Sequence, residues 1–482
     1  MAALYRAATI AVAGAVNRAV PEPYMDEVFH VGQTQTYCAH RFGEWDDKIT
    51  TPPGLYFLGY IAARAGALLG IGGCTAVTLR AVNLVAAAAV PATLPHSKLF
   101  TFTVAMFPLL YFYAFLYYTD LWSNVLVFTA VFSSRARWQR ALVLLVSLAF
   151  RQTNVVWTAY VAGLVAVDEI DRVWKAAVAA APAEPPAPPA VPTVTKRGVT
   201  VPTGRPAKAP KTRPAPTAVP PEPTVAAAGP ADYVRAVGNA LRGVQLDPVA
   251  VAQALLPFMA VIEAFALFLV WNRGIALGDK ANHVAGLHFP QLFYFVAFTM
   301  AMAWPVWIGQ TAAVARTFVR TRGSVGAAAG TVAALAAVLA LVHTNTIAHP
   351  FVLADNRHYV FYIWRRVIDR TPWSRYALAP VYVGAGWFVF AYTFYGRRPM
   401  HALLFAGATA AVLVPSPLIE FRYYVVPYVL WRDAYERAHP SSSLALKAEL
   451  VWYAAVGLAT VAVFIARPFE WPGAPGLQRF MW

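Results

Sequence analysis

The sequence predicts an all-α polytopic membrane protein, and three observations predict it. Of 482 residues, 59% are hydrophobic and only 13% charged, too little polar surface to cover a soluble fold of that length. Apolar stretches approaching the roughly 20 residues that a spanning helix needs recur along nearly the whole chain. The net charge of +16 is carried mainly in short loops between those stretches, where basic residues orient helices. No motif interleaves these charges with aromatics as a nucleic-acid surface would, so nucleic acid is not expected as a partner.

Taken in order, the apolar segments fall near 2–20, 54–72, 76–94, 99–118, 121–134, 140–150, 154–168, 250–271, 290–310, 324–346, 374–394, 400–415, 421–431 and 448–467. The first has the size of a cleaved signal peptide, but functional-looking residues follow it at once, so it reads as a retained helix. Segment 54–72 opens with Pro52-Pro53 and carries Arg64, the pattern of a helix lying in the membrane surface. The piece at 140–150 and the last short ones read as broken helices lining a cavity. About 12 or 13 spans remain. Between 178 and 230 Ala and Pro dominate, with Lys196, Arg197, Arg205, Lys208, Lys211 and Arg213 among them. That composition cannot bury a core and predicts a disordered cytosolic insertion. It separates an N-terminal membrane half, 1–177, from a C-terminal one, 231–482.

Orientation follows from the basic loops. Lys98; Arg135, Arg137 and Arg140; Arg316, Arg320 and Arg322; Arg397 and Arg398; and Arg432 and Arg437 fall at ends of alternate loops, and one topology places all of them in the cytosol with the N-terminus. Loops 21–52, 119–120, 151–153, 272–289, 347–373 and 416–420 then share the other face. Loop 347–373 breaks the bias with Arg357, Arg365, Arg366 and Arg370, which suggests an anionic ligand. Cys38 and Cys74 are too few for a disulfide framework or a metal cluster; one bond between them is open if both face an oxidising compartment.

The polar loops carry the candidate chemistry. In Pro23-Tyr24-Met25-Asp26-Glu27-Val28-Phe29-His30, two carboxylates directly follow a membrane helix. Such groups are costly at that depth and suit a general base; they equally suit a helix N-terminus, whose dipole they complement. Asp46 and Asp47 read as a solvated turn before metal ligands. Tyr117-Tyr118-Thr119-Asp120 closes a helix at the membrane interface. Arg151-Gln152-Thr153-Asn154, set inside apolar sequence, must face a polar cavity or a partner. Residues Gly278 to His283 suit sugar hydroxyls, and the aromatic run from Leu287 to Tyr294 suits a lipid tail or an interface anchor; His283 and His288 read as poor catalysts. Asp355, Asn356, Arg357 and His358 together can hold a sugar phosphate, Arg supplying a planar fork, unless the loop simply meets lipid headgroups. Glu420 and Arg422 neutralise each other or free Arg422 for a phosphate.

Six of these segments resemble, in order, the dolichyl-phosphoglucose-dependent α-1,2-glucosyltransferase family: Pro23-Tyr24-Met25-Asp26-Glu27, Ile49-Thr50-Thr51-Pro52-Pro53-Gly54-Leu55-Tyr56, Arg151-Gln152-Thr153-Asn154, Leu287-His288-Phe289-Pro290-Gln291-Leu292-Phe293-Tyr294, Leu353-Ala354-Asp355-Asn356-Arg357-His358-Tyr359 and Leu418-Ile419-Glu420-Phe421-Arg422-Tyr423. The resemblance runs from about residue 20 to 432 outside the insertion. Asp120 stands where the family pattern has Glu, and the insertion is longer than usual. The resemblance implies a GT-C-type bundle in the endoplasmic-reticulum membrane with its active site on the lumenal side. It implies inverting transfer of glucose from dolichyl phosphate glucose to the diglucosylated dolichyl-pyrophosphate oligosaccharide. Asp26 is then the base with Glu27 as helper or reserve. Arg357, His358 and Arg422 hold the donor phosphate, and Asp355, Asn356, Arg151, Gln152 and His288 bind substrate. Nothing calls for a metal or another cofactor. A polytopic transporter or flippase, or a nonenzymatic membrane regulator, is the alternative; a transporter predicts internal repeats, and none is seen.

Overall fold

The computed structural model describes residues 1–70, 72–180, 195–196, 199–200, 230–282, 284–394, 397–472 and 476–482. Its helices start where local chemistry satisfies the first free N–H groups. Thr75 accepts from Thr78 N ahead of Ala76–Thr93, Asp247 from Ala250 N ahead of Pro248–Asn272, and Ser442 from Ala445 N ahead of Ser443–Ala466. Together with Val325–Asn345, these are the four helices among the described residues long and apolar enough to cross a membrane. A fifth candidate is a pair, Pro290–Met302 and Trp304–Arg320, bent by 70°.

The sequence expects about 12 or 13 spans; apart from Ala2–Ala19 and Asn154–Ala180, which are continuous, the remaining apolar segments form shorter or interrupted helices. Proline explains most interruptions, because it donates no N–H and clashes with the preceding turn. Segment 99–118 splits into Lys98–Ala105 and Pro108–Tyr113. Segment 290–310 breaks before Pro305, and 374–394 becomes Ser374–Ala377, Ala379–Trp387 and a π-helical turn, Phe388–Tyr392. Segment 54–72 is helical from Gly54 to Leu68.

Helix Asn154–Ala180 runs on past the apolar segment that announces it. The expected disordered insertion falls almost wholly outside the described residues; within it Thr195–Lys196 pairs antiparallel with Val199–Thr200. Helix Pro230–Leu246, which apolar patterning does not reveal, opens the C-terminal half. Gly243 lets it lie flat on Ile170 and Trp174, where an added Cβ would sit 2.5 Å from Ile170 Cγ2.

Two features gather the loops at one end of the bundle. Cys38, at the end of helix Glu27–Cys38, is disulfide-bonded to Cys74, just before Ala76–Thr93. The chain after Ala466 turns back into the same end. Arg479 donates to the carbonyls of Phe464, Ile465 and Ala19, while its backbone N–H donates to Tyr24 Oη and Tyr24 Oη donates to its carbonyl. Met481 then pairs with Arg357 and Tyr359 through backbone hydrogen bonds of 2.9 and 3.0 Å. Residues 476–482 are thereby wedged between the first polar loop and loop 347–373.

Candidate active site

The first polar loop turns sharply at Met25, whose φ of 55° is left-handed, a conformation that costs a non-glycine residue roughly 1–2 kcal/mol. The turn sends the next two carboxylates to different places. Glu27 points inward and is fully buried. Its oxygens accept from Arg80 Nε at 2.8 Å, Arg80 Nη2 at 2.6 Å, Tyr117 N at 2.6 Å and Tyr24 N at 3.1 Å. Arg80 spends its remaining donors on Asn17 Oδ1 and the carbonyls of Val20 and Glu22. This closed pair ties the first helix, the loop and helix Ala76–Thr93 together and leaves no Glu27 lone pair free.

Asp26 points the other way, its side chain 43% exposed. Its backbone N–H donates to Tyr118 Oη at 3.2 Å, and its carboxylate accepts from Arg422 Nη1 at 3.3 Å. Arg422 is shared: Glu420 lies 2.8 Å from Nη2, and Asp120 3.7 Å from Nη1. Asp120 in turn meets Arg151 at 2.9 Å. Three carboxylates thus face two guanidiniums, an excess of one negative charge. Arg422 lies over the rings of Tyr113 and Tyr118, at 5.6 and 5.4 Å, which shield it from water without consuming its N–H donors. Asp120 Oδ2 and Arg151 Nε are buried without a hydrogen-bond partner, polar atoms that a sugar hydroxyl would satisfy.

Electrostatics set the charge states. Burial is the largest influence on the Asp26 carboxyl and pushes it up, but the neighbouring cationic groups, Arg422 foremost through its charge and its hydrogen bond, together outweigh burial and hold Asp26 below the usual carboxylate range. Burial drives the His30 imidazole down to about 4, so it is neutral at physiological pH. Its Nδ1 sits 2.9 Å from Tyr56 Oη.

Loop 347–373 supplies the other wall. Asp355 accepts from Arg357 Nε at 2.8 Å and Nη2 at 2.7 Å, and Arg357 Nη1 donates to Gln478 Oε1 at 2.8 Å. Trp471 lies 5.0 Å from the Arg357 guanidinium. His358 Nδ1 is 3.0 Å from the Trp482 carbonyl, to which Tyr113 Oη also donates at 2.9 Å. Because Tyr113 also lies under Arg422, these contacts link Arg422 to His358 through the C-terminal segment. Asn356 Oδ1 is buried and unpartnered.

The structure therefore brings Asp26, Arg422, Arg151 and Asp120 together, with His358 and Arg357 alongside. It sets three expected residues apart. Glu27 has no face toward this recess. Gln152 braces the loops, donating to Thr50 O at 2.6 Å and Ile275 O at 3.0 Å. His288 is fully buried beneath the 416–422 segment, 3.1 Å from Pro417 O and accepting from Ile347 N at 3.4 Å; burial holds it neutral, at about 4. His283 lies outside the described residues. Sequence reasoning misses Tyr113, Tyr118 and His30 as participants, and the whole contribution of Trp471 and Gln478. An Arg80 inside an apolar helix was the available signal for the Glu27 clamp.

Residues 20–433 match the DIE2/ALG10 family model. Relatives named Dol-P-Glc:Glc(2)Man(9)GlcNAc(2)-PP-Dol alpha-1,2-glucosyltransferase are similar over nearly their whole length. That of Yarrowia lipolytica is 32% identical, covering 100% of this chain and 98% of its own. That of Arabidopsis thaliana is 34% identical over 97% and 96%, and that of Mus musculus 33% over 97% and 95%. No solved structure matches the chain.

Proposed function

We infer the reaction from one premise: this chain belongs to the DIE2/ALG10 family. It is a membrane glycosyltransferase that moves glucose from dolichyl phosphate glucose to the diglucosylated lipid-linked oligosaccharide, forming the terminal α-1,2-linked glucose used in protein N-glycosylation. The setting we propose is the endoplasmic-reticulum membrane with the site on the lumenal side. The Cys38–Cys74 disulfide, on the loop that carries Asp26, suits that oxidising face.

The observation that carries the site assignment is the Asp26–Arg422 contact, long at 3.3 Å and shared with Glu420 and Asp120. In our reading the donor phosphate docks against Arg422, with His358 and Arg357 beside it. Its oxygens compete for the N–H donors that Asp26 and Glu420 now use, and the long Asp26 contact is the first to yield. Asp26, ionised and released, accepts the proton of the acceptor 2-hydroxyl. The hydroxyl oxygen attacks the glucose anomeric carbon opposite the phosphate. That carbon's bond to phosphate breaks, the electron pair leaves on the phosphate, and dolichyl phosphate departs stabilised by Arg422. A β-linked donor then gives an α-linked product by one displacement. Asp120 and Arg151, through their unpartnered atoms, and Asn356 orient sugar hydroxyls. Glu27, Gln152 and His288 act as braces.

Purified chain supplied with dolichyl phosphate glucose and diglucosylated acceptor should add one α-1,2-linked glucose. Glucose addition to neither this acceptor nor a monoglucosylated one would contradict the reading. Protease added to sealed microsomes should spare loop 21–52; cleavage there would invert the orientation.

A further inference from the structure

Beyond the site of transfer, loop 347–373 carries a second concentration of positive charge. Helix Tyr359–Ile363 continues into a π-helical turn, Trp364–Ile368, closed by Asp369 N donating to Trp364 O at 2.8 Å. Such wide turns recur at functional sites. Phe361, Tyr362, Arg365, Arg366 and Arg370 line a cavity of about 420 Å3 on its surface. The two aromatics order the cations: Arg365 lies 5.9 Å from the Phe361 ring and Arg366 5.4 Å from that of Tyr362. The nearest carboxylate in sequence, Asp369, is taken by Arg375, and among the described residues no carboxylate pairs with Arg365, Arg366 or Arg370. Three guanidiniums held around one hollow repel one another unless an anion enters.

The surroundings state what kind of anion. Ile363, Val367 and Trp373 are exposed on the same stretch, Trp373 to 77%. A short helix that alternates bare arginines with bare aliphatic and indole side chains suits the membrane interface, apolar groups in the acyl region and cations at headgroup depth. The stretch also lies at the end of the molecule that holds Asp26, since Tyr359 pairs with Met481 and Arg479 with Tyr24.

We propose that Arg365, Arg366 and Arg370 form a lipid-phosphate site, distinct from the Arg422 site, that takes the phosphate headgroup of a lipid anchored in the adjoining leaflet. That chemistry has two sources: a bulk anionic phospholipid, or an isoprenoid pyrophosphate of the acceptor's type, and the second rests on the glucosyltransferase reading. The planar forks suit either.

The test uses the full chain purified in neutral detergent, with dioctanoyl phosphatidylinositol, farnesyl pyrophosphate and dioctanoyl phosphatidylcholine as probes. At least one anionic probe should bind, and the zwitterionic one should not. Substituting Arg365→Gln, Arg366→Gln and Arg370→Gln together should weaken anion binding by on the order of a hundredfold, while the three Arg→Lys changes, which keep the charge, should retain most of it. Binding should survive Arg422→Gln. Preference for farnesyl pyrophosphate assigns the site to isoprenoid pyrophosphates, and preference for phosphatidylinositol to bulk lipid. Equal anion binding by wild type and the glutamine variant, or equal binding of phosphatidylcholine, overturns the proposal. No glucose transfer is measured, so the outcome does not depend on the catalytic reading. If the triple glutamine variant misfolds, Arg365→Gln, Arg366→Gln and Arg370→Gln made singly decide: anion binding equal to wild type in all three, on folded protein, also overturns it.

Discussion

Asp26 and Glu27 are consecutive, both acidic and both in contact with an arginine, yet their pairs are built differently. The Arg80 and Glu27 side chains are only 1% and 0% exposed, and the arginine's donors are all engaged at 2.6 to 3.0 Å. Arg422 is shared among Asp26, Asp120 and Glu420 at 2.8 to 3.7 Å, and Asp26 is half open. A saturated buried pair contributes architecture, because every lone pair it could offer a substrate is already used. An undersupplied arginine among several acids can exchange partners when an anion arrives. The difference separates a clamp from a catalytic group more sharply than residue type does.

Each of four changes would break or sharpen that comparison. Glu27→Gln leaves the Arg80 charge buried without its counterion, which should cost about 3–5 kcal/mol of stability; thermal unfolding of the purified variant measures it, while transfer per folded molecule should stay within about tenfold of wild type, the scale of one indirect contact. Arg422→Gln should lower kcat per folded molecule by on the order of 100- to 1000-fold, the scale of a lost transition-state contact; Arg422→Lys should restore only part, lacking the planar fork. For wild type, kcat/KM should hold flat from neutral pH into the ordinary carboxylate range near about 4. Because Asp26 is held below that range, its base form persists until the pH falls through its lowered value, and only then should the acid limb appear. An acid limb above pH about 5 would mean a base with a raised pKa. Smallest is Gln478→Ala, which removes one of three side-chain hydrogen bonds to Arg357; it should raise the donor KM by up to about tenfold at near-normal kcat, a loss near 1 kcal/mol.

The membrane class and most helix positions were legible, because apolar runs and capping residues act locally. Helix count was not, since Pro108, Pro305 and Pro380 break segments whose composition alone reads as continuous. Asp26, Arg422, Arg151 and Asp120 were legible as polar residues stranded in or beside apolar sequence. Their grouping was not, because Asp26 and Arg422 are 396 positions apart and only tertiary packing makes them neighbours. The opposed directions of Asp26 and Glu27 depend on the φ of Met25, which no composition signals. The C-terminal segment was missed because a single Gln and Trp carry no pattern; they matter through the Arg357 they hold.

The central claim is that Asp26 supplies the base and Glu27 the scaffold. It is tested most directly by single-turnover transfer rates of Asp26→Asn and Glu27→Gln, each on protein shown to be folded and to bind donor. Asp26→Asn keeps shape and hydrogen bonding but removes basicity, so it should lose at least about 100-fold in rate with its unfolding temperature and donor binding near wild type. Glu27→Gln should show the reverse, a lower unfolding temperature with transfer largely kept per folded molecule. Fast transfer by Asp26→Asn, or loss of transfer by folded Glu27→Gln, would contradict the account.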